Sequence, residues 1–260
     1  MSRFERLELK DTPKSTPPSW EDPGLVDAAA WLERARDAFV NERYEAALTA
    51  YSRALQDDAT LVEAWVGQVR CLAELGECIE AVTWADRALE RFRDHPDLLA
   101  ARALALCRGG RSADALVSID GAFRQPGISA FAWTVRGEVM LSQNAESARH
   151  CFMKAVESAP GDADIRLRIA LAYIRRARWF EAMEHLQAAT GKEPKRATLW
   201  ARAAQCRDGL GDRASARAFY ERALSIEPGL AWARAALAEL DSRGWGSRII
   251  GRLRAVLRRG

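Results

Sequence analysis

Five cysteines (Cys71, Cys78, Cys107, Cys151 and Cys206) and three histidines (His95, His150 and His185) are the side chains of this 260-residue chain best suited to metal or nucleophilic chemistry. Zinc needs such ligands at close spacing, and a redox pair needs Cys-x-x-Cys. No such pair occurs, and only His150-Cys151 brings the two types together, inside a helical pattern. The phosphate loop G-x-x-x-x-G-K-[ST], the serine elbow G-x-S-x-G and the zinc helix H-E-x-x-H are also missing. Gly109-Gly110 and Gly209 with Gly211 punctuate helical stretches as turns rather than cradling phosphate. The acidic residues are scattered over helical surfaces. We therefore expect no enzyme, no metal and no cofactor.

Charge is more informative in its placement than in its total of +3. Residues 1–26 hold four basic and five acidic side chains, and residues 244–260 hold five arginines and no acid. On a helix, Trp245, Ile249, Ile250, Leu253, Val256 and Leu257 fall on one arc, and Arg248, Arg252, Arg254, Arg258 and Arg259 on the other. That separation suits a membrane-surface or partner-groove helix, and equally a last helix laid on a helical array. Arginines without interleaved aromatics speak against nucleic acid as the partner. An odd cysteine count, no secretory apolar stretch after Met1 and no apolar run near 18 residues lead us to expect a cytoplasmic protein.

The elements that carry these residues repeat. In 197–230, Trp200 and Ala204 share one helical face, Gly209 and Gly211 interrupt it, and Ala216, Tyr220 and Ala223 mark a second face before Glu227-Pro228-Gly229 closes the unit. Alanines equivalent to Ala216 stand at Ala182, Ala148, Ala115, Ala81 and Ala47, at intervals of 34, 34, 33, 34 and 34. Seven residues after each lies another alanine, and four after each a mostly larger side chain (Tyr51, Ala85, Ile119, Phe152, Leu186, Tyr220). First helices carry Trp31, Trp65, Leu99, Trp133, Arg166 and Trp200, with a small residue four later. Neither helix of such a unit can bury its face alone, so the units must stack.

The pattern resembles the tetratricopeptide repeat (TPR) family. The resemblance implies an all-α, right-handed α-solenoid of six helix-turn-helix repeats with a C-terminal capping helix. The repeats are placed near 28–61, 62–95, 96–129, 130–162, 163–196 and 197–230, with the cap at 231–243. The fourth unit is one residue short, which we place at the Gln143-Asn144 turn. A flexible arm with a proline-rich linker, residues 1–26, precedes the solenoid of 27–243, and the basic amphipathic helix of 244–260 follows it.

By the same resemblance, first helices line a concave groove that binds a peptide or domain of another protein. Its inward places carry over to Leu32, Arg36 and Phe39, then to Glu63, Val66 and Arg70, and then to Asp97, Ala100, Leu104 and Arg108. They continue with Phe131, Thr134, Glu138 and Leu141, with Leu167, Leu171, Ile174 and Arg175, and with Ala201, Gln205 and Asp208. The carboxylate clamp of the heat-shock co-chaperones is missing, since Leu32, Arg36, Gly67, Asp97 and Ala101 stand at its places. Arg36, Arg70 and Arg108 are then the groups that could pair with an acidic partner segment. Leu104, Leu141, Leu167, Leu171 and Ile174 would form an apolar stretch if nothing covers them. The expected function is an interaction scaffold or adaptor. The alternative is a peripheral membrane recruiter held by Trp245, Arg248, Ile249, Arg252, Leu253, Arg254 and Leu257.

Overall fold

The computed structural model describes residues 27–141 and 143–242, and every regular element in them is an α-helix. The arm of 1–26 and the basic stretch of 244–260 lie outside the described residues. The helices come in pairs: α1 (Ala28–Val40) with α2 (Tyr44–Asp57), α3 (Val62–Glu74) with α4 (Cys78–Arg91), and α5 (Pro96–Arg108) with α6 (Ser112–Phe123). They continue with α7 (Ala130–Met140) and α8 (Ala145–Ser158), α9 (Ala163–Ile174) and α10 (Trp179–Lys192), α11 (Ala197–Gly209) and α12 (Arg213–Ile226), and a last helix, α13, over 231–242. Two compact units contain them, unit 1 ending at Ser158 and unit 2 beginning at Ala159.

The alanine ladder shows why the pairs can form. All twelve of its alanines, from Ala47 and Ala54 to Ala216 and Ala223, are 0% exposed. Glycines of the first helices leave room for larger neighbours. The Tyr51 ring lies where a Cβ on Gly67 would be, at 2.2 Å, and the Phe152 ring does the same at Gly137, at 2.3 Å. In unit 2 the Trp179 indole stands 2.5 Å from the Cβ position of Gly209. Any side chain at these glycines would displace an aromatic ring from the core.

Five of the six turns inside the pairs share one closure. Arg43, Glu77, Arg111, Arg178 and Asp212 each donate the backbone N–H to the carbonyl five residues back, at 2.8–3.0 Å. This is the six-to-one bond that satisfies an orphan carbonyl at a helix end, and it needs a left-handed residue just before the donor. Gly76, Gly110 and Gly211 supply it, while Glu42 and Ala177 adopt the same positive φ with a side chain. The fourth turn differs. There Asn144 donates to Met140, four residues back, at 2.8 Å, and its side chain then accepts from Glu146 and Ser147. A shorter closure accounts for the interval of 33.

Two first-helix tryptophans are tied to the turn that precedes them. The Trp65 indole donates to the Ala59 carbonyl (3.0 Å) and the Trp200 indole to the Pro194 carbonyl (2.9 Å), six residues back in both. Arg234, at the equivalent place of α13, donates to the Pro228 carbonyl. In unit 2, Ala233 and Leu240 join the core made by Ala201, Ala204, Tyr220 and Ala223, so α13 covers the open side of the α11–α12 pair.

A second ladder joins neighbouring pairs in unit 1. Arg102 bonds Asp86 (2.6 Å) and Arg136 bonds Asp120 (3.1 Å), both across sixteen residues and one period apart. Gln68 holds the equivalent place one unit earlier, opposite Ser52. The Ser52 hydroxyl donates to the Leu48 carbonyl instead, and both amide atoms of the buried Gln68 have no partner.

Candidate functional site

In unit 1 the first helices pack side by side, α1 on α3, α3 on α5 and α5 on α7, while successive second helices make no comparable contact. Helices that touch on one side and splay on the other bend the stack toward the touching side. The inner face of unit 1 is therefore made by the first helices. Their small residues permit the approach, since Ala100, Ala101 and Ala103 of α5 are all 0% exposed.

Two of the arginines on this face are held by its own acids. Arg36 is paired with Glu33 on its own helix and bidentately with Glu63 on α3. Arg108 reaches Glu74 on α3 (2.8 Å) and Glu138 on α7 (3.3 Å), joining three first helices in one ion triad. Burial of Arg108 works against its charge, but the two carboxylates outweigh it and hold the guanidinium protonated. Arg70 is placed differently. Its guanidinium lies over the Phe39 ring (4.3 Å) and the Phe131 ring (4.9 Å), and its Nε is buried without a partner. The three arginines that the sequence offers to an acidic partner are thus not equivalent.

The apolar places are covered. Leu32 and Phe39 are buried, and Leu104, Leu141, Leu167, Leu171 and Ile174 are 2, 7, 5, 7 and 8% exposed. The condition for an open apolar stretch is not met, because these side chains pack instead of facing solvent. Arg175 is exposed at the end of α9. Trp245, Arg248, Ile249, Arg252, Leu253, Arg254 and Leu257 lie outside the described residues. Glu74 and Tyr51 were not among the expected places. Glu74 was signalled by its register, one period of 34 before Arg108, which sets opposite charges side by side on adjacent first helices.

The thiols are quiet. Burial pushes the thiols of Cys71, Cys78 and Cys151 up, and that of Cys206 up to about 12, so none of these four is a thiolate near neutrality. Among the described residues, no group of three His, Cys, Asp or Glu is placed to hold a metal. No described helix is long and apolar enough to cross a membrane.

His185 is the histidine with a consequence. It stacks on Tyr173 (5.9 Å), its Nδ1 has no partner, and burial, helped by the charge of Arg166, pushes its pKa down to about 4. The unfolded chain, with a histidine near 6.5, takes up this proton first as the pH falls. The neutral side chain therefore contributes stability above about pH 6.5 that is lost toward pH 4, on the order of 2 kcal/mol by pH 5. Urea midpoints at pH 7.5 and pH 5 should move apart less in His185→Phe than in the parent. An equal pH dependence in both would show that folded His185 takes the proton.

Tetratricopeptide repeat models match the chain over residues 32–96 and 197–229. No curated protein matches its sequence. Among solved structures, IFIT1 bound to Gppp-AAAA is 15% identical, with a TM-score of 0.58 over 78% of this chain and 51% of that one. The APC/C hetero-tetramer Cut9-Hcn1 is 16% identical, with a TM-score of 0.53, covering 82% of this chain and 43% of that one. A tetratricopeptide repeat protein of Parabacteroides merdae is 16% identical, with a TM-score of 0.52 over 84% of this chain and 87% of that one. The chain thus spans less than half of the Cut9-Hcn1 chain that it matches. At these identities the likeness is one of fold.

Proposed function

We propose that this chain, a tetratricopeptide repeat protein, is an interaction scaffold that holds a segment of another protein on the inner face of its first helices. The observation that supports this is the build of that face in unit 1. Side chains of α1, α3, α5 and α7 are locked to one another by Arg36–Glu63 and Glu74–Arg108–Glu138, so a partner would meet a surface already ordered.

A photo-reactive residue in place of Glu33, exposed on the inner face and outside both locks, should crosslink a discrete protein in the native extract. The same residue in place of Ile79, which is 81% exposed on a second helix, should not. Crosslinks from position 79 alone would move the site to the second helices. Capture from neither position would overturn the scaffold reading.

A peripheral membrane recruiter is the second reading. The separation of Trp245, Ile249, Leu253 and Leu257 from Arg248, Arg252, Arg254, Arg258 and Arg259 in the sequence favours it. Sedimentation of the full chain with anionic vesicles at low salt supports this reading, and failure to sediment removes it.

A further inference from the structure

Arg36 and Arg108 are neutralised by glutamates of the same face, and Arg70 between them is not. Arg70 makes no hydrogen bond and no ion pair among the described residues. Phe39 and Phe131 attract its charge diffusely, but a ring does not satisfy the N–H donors that lie in the plane of a guanidinium. The residue keeps partial exposure. Beside it, the Tyr51 ring lies against Gly67, one turn from Arg70, and the Tyr51 hydroxyl also has no partner among the described residues. Burial keeps that phenol protonated against the pull of Arg70, so it too is a donor. Unpaired donors around a preset cation fit a planar anion that accepts two hydrogen bonds.

The surroundings narrow the class of anion. Residues 27–158 carry 15 basic and 20 acidic side chains, a net charge of −5, and Glu33, Glu63, Glu74 and Glu138 share the face. A polyanion such as nucleic acid or an anionic lipid surface would be repelled along most of its length. A single carboxylate between uncharged residues would meet attraction at Arg70 alone. Resting on the scaffold reading above, we propose that Arg70 is a carboxylate-reading residue: it takes one aspartate or glutamate side chain of an extended partner segment in a bidentate pair, with Phe39 and Phe131 fixing the guanidinium.

The full chain can be titrated with two libraries of acetylated, amidated nonapeptides, mixed everywhere except the centre, which is Glu in one and Gln in the other. The Glu library should bind roughly tenfold more tightly. Arg70→Gln should erase that preference without shifting the melting temperature by more than a few degrees, and Arg70→Lys should keep part of it. If Arg70→Gln fails to fold, the Lys variant decides by its intermediate preference. Equal binding of both libraries overturns the carboxylate while leaving the scaffold reading intact. A preference that survives Arg70→Gln overturns the assignment to Arg70. Binding of neither library, by the parent or after Glu5→Gln, Glu8→Gln and Asp11→Asn, overturns the peptide-holding face itself. A preference that emerges only after Glu5→Gln, Glu8→Gln and Asp11→Asn in the full chain makes the occupant the chain's own first residues, and overturns a partner in trans.

Discussion

Arg108→Met is expected to cost about 3–5 kcal/mol of folding stability, because it removes the cation shared by a buried ion network. The Glu74 and Glu138 side chains are only 9 and 12% exposed, so water cannot replace the guanidinium between them. The two carboxylates, on α3 and α7, would lose the cation that they share and would repel one another. One further variant identifies this cause. Adding Glu74→Gln and Glu138→Gln to Arg108→Met should recover much of the loss, since a neutral cluster of similar size does not depend on the shared cation. Urea denaturation of the parent and both variants checks this. A loss below about 1 kcal/mol would place the triad among screened surface pairs.

Trp65→Ala should cost a comparable ~3–5 kcal/mol for a different reason, the cavity left by a large side chain. The Trp65 ring is 4% exposed, packs on Trp84 at 5.9 Å and donates to the Ala59 carbonyl in the turn before its helix. Trp65→Phe divides the two contributions. It keeps much of the volume but loses the indole N–H, and should cost about 1–2 kcal/mol. Equal losses for the two variants would mean that the turn carries the effect. Losses within experimental error would place Trp65 outside the core.

The repeats were legible because they are written in distances along one chain. An alanine every 34 residues with another seven later can only mean one face of one helix. The structure leaves none of those alanines exposed. The interval of 33 was also visible, and its cause is local: a turn closed by Asn144 to Met140 in place of the longer closure used elsewhere. What lies on that face was read less well. Leu171 and Ile174 have types and spacing that suit an open groove as well as a packed one, and the structure buries both. Replacing them with charge would therefore test folding rather than binding.

The helices, their turns and the small-residue faces that let them stack follow from the sequence alone, because each depends on neighbours within about two helical turns. The division of labour among Arg36, Arg70 and Arg108 does not. Arg36 and Arg70 sit one period apart at the same place of their first helices, Arg108 lies one turn further along its own, and all three are identical in type. What each meets is decided by side chains reaching from other helices: Glu63 to Arg36, Glu74 and Glu138 to Arg108, and the rings of Phe39 and Phe131, but no carboxylate, to Arg70. These contacts join residues 27 to 61 positions apart. They depend on how closely the small residues between the helices allow them to approach, and that is settled by packing in three dimensions.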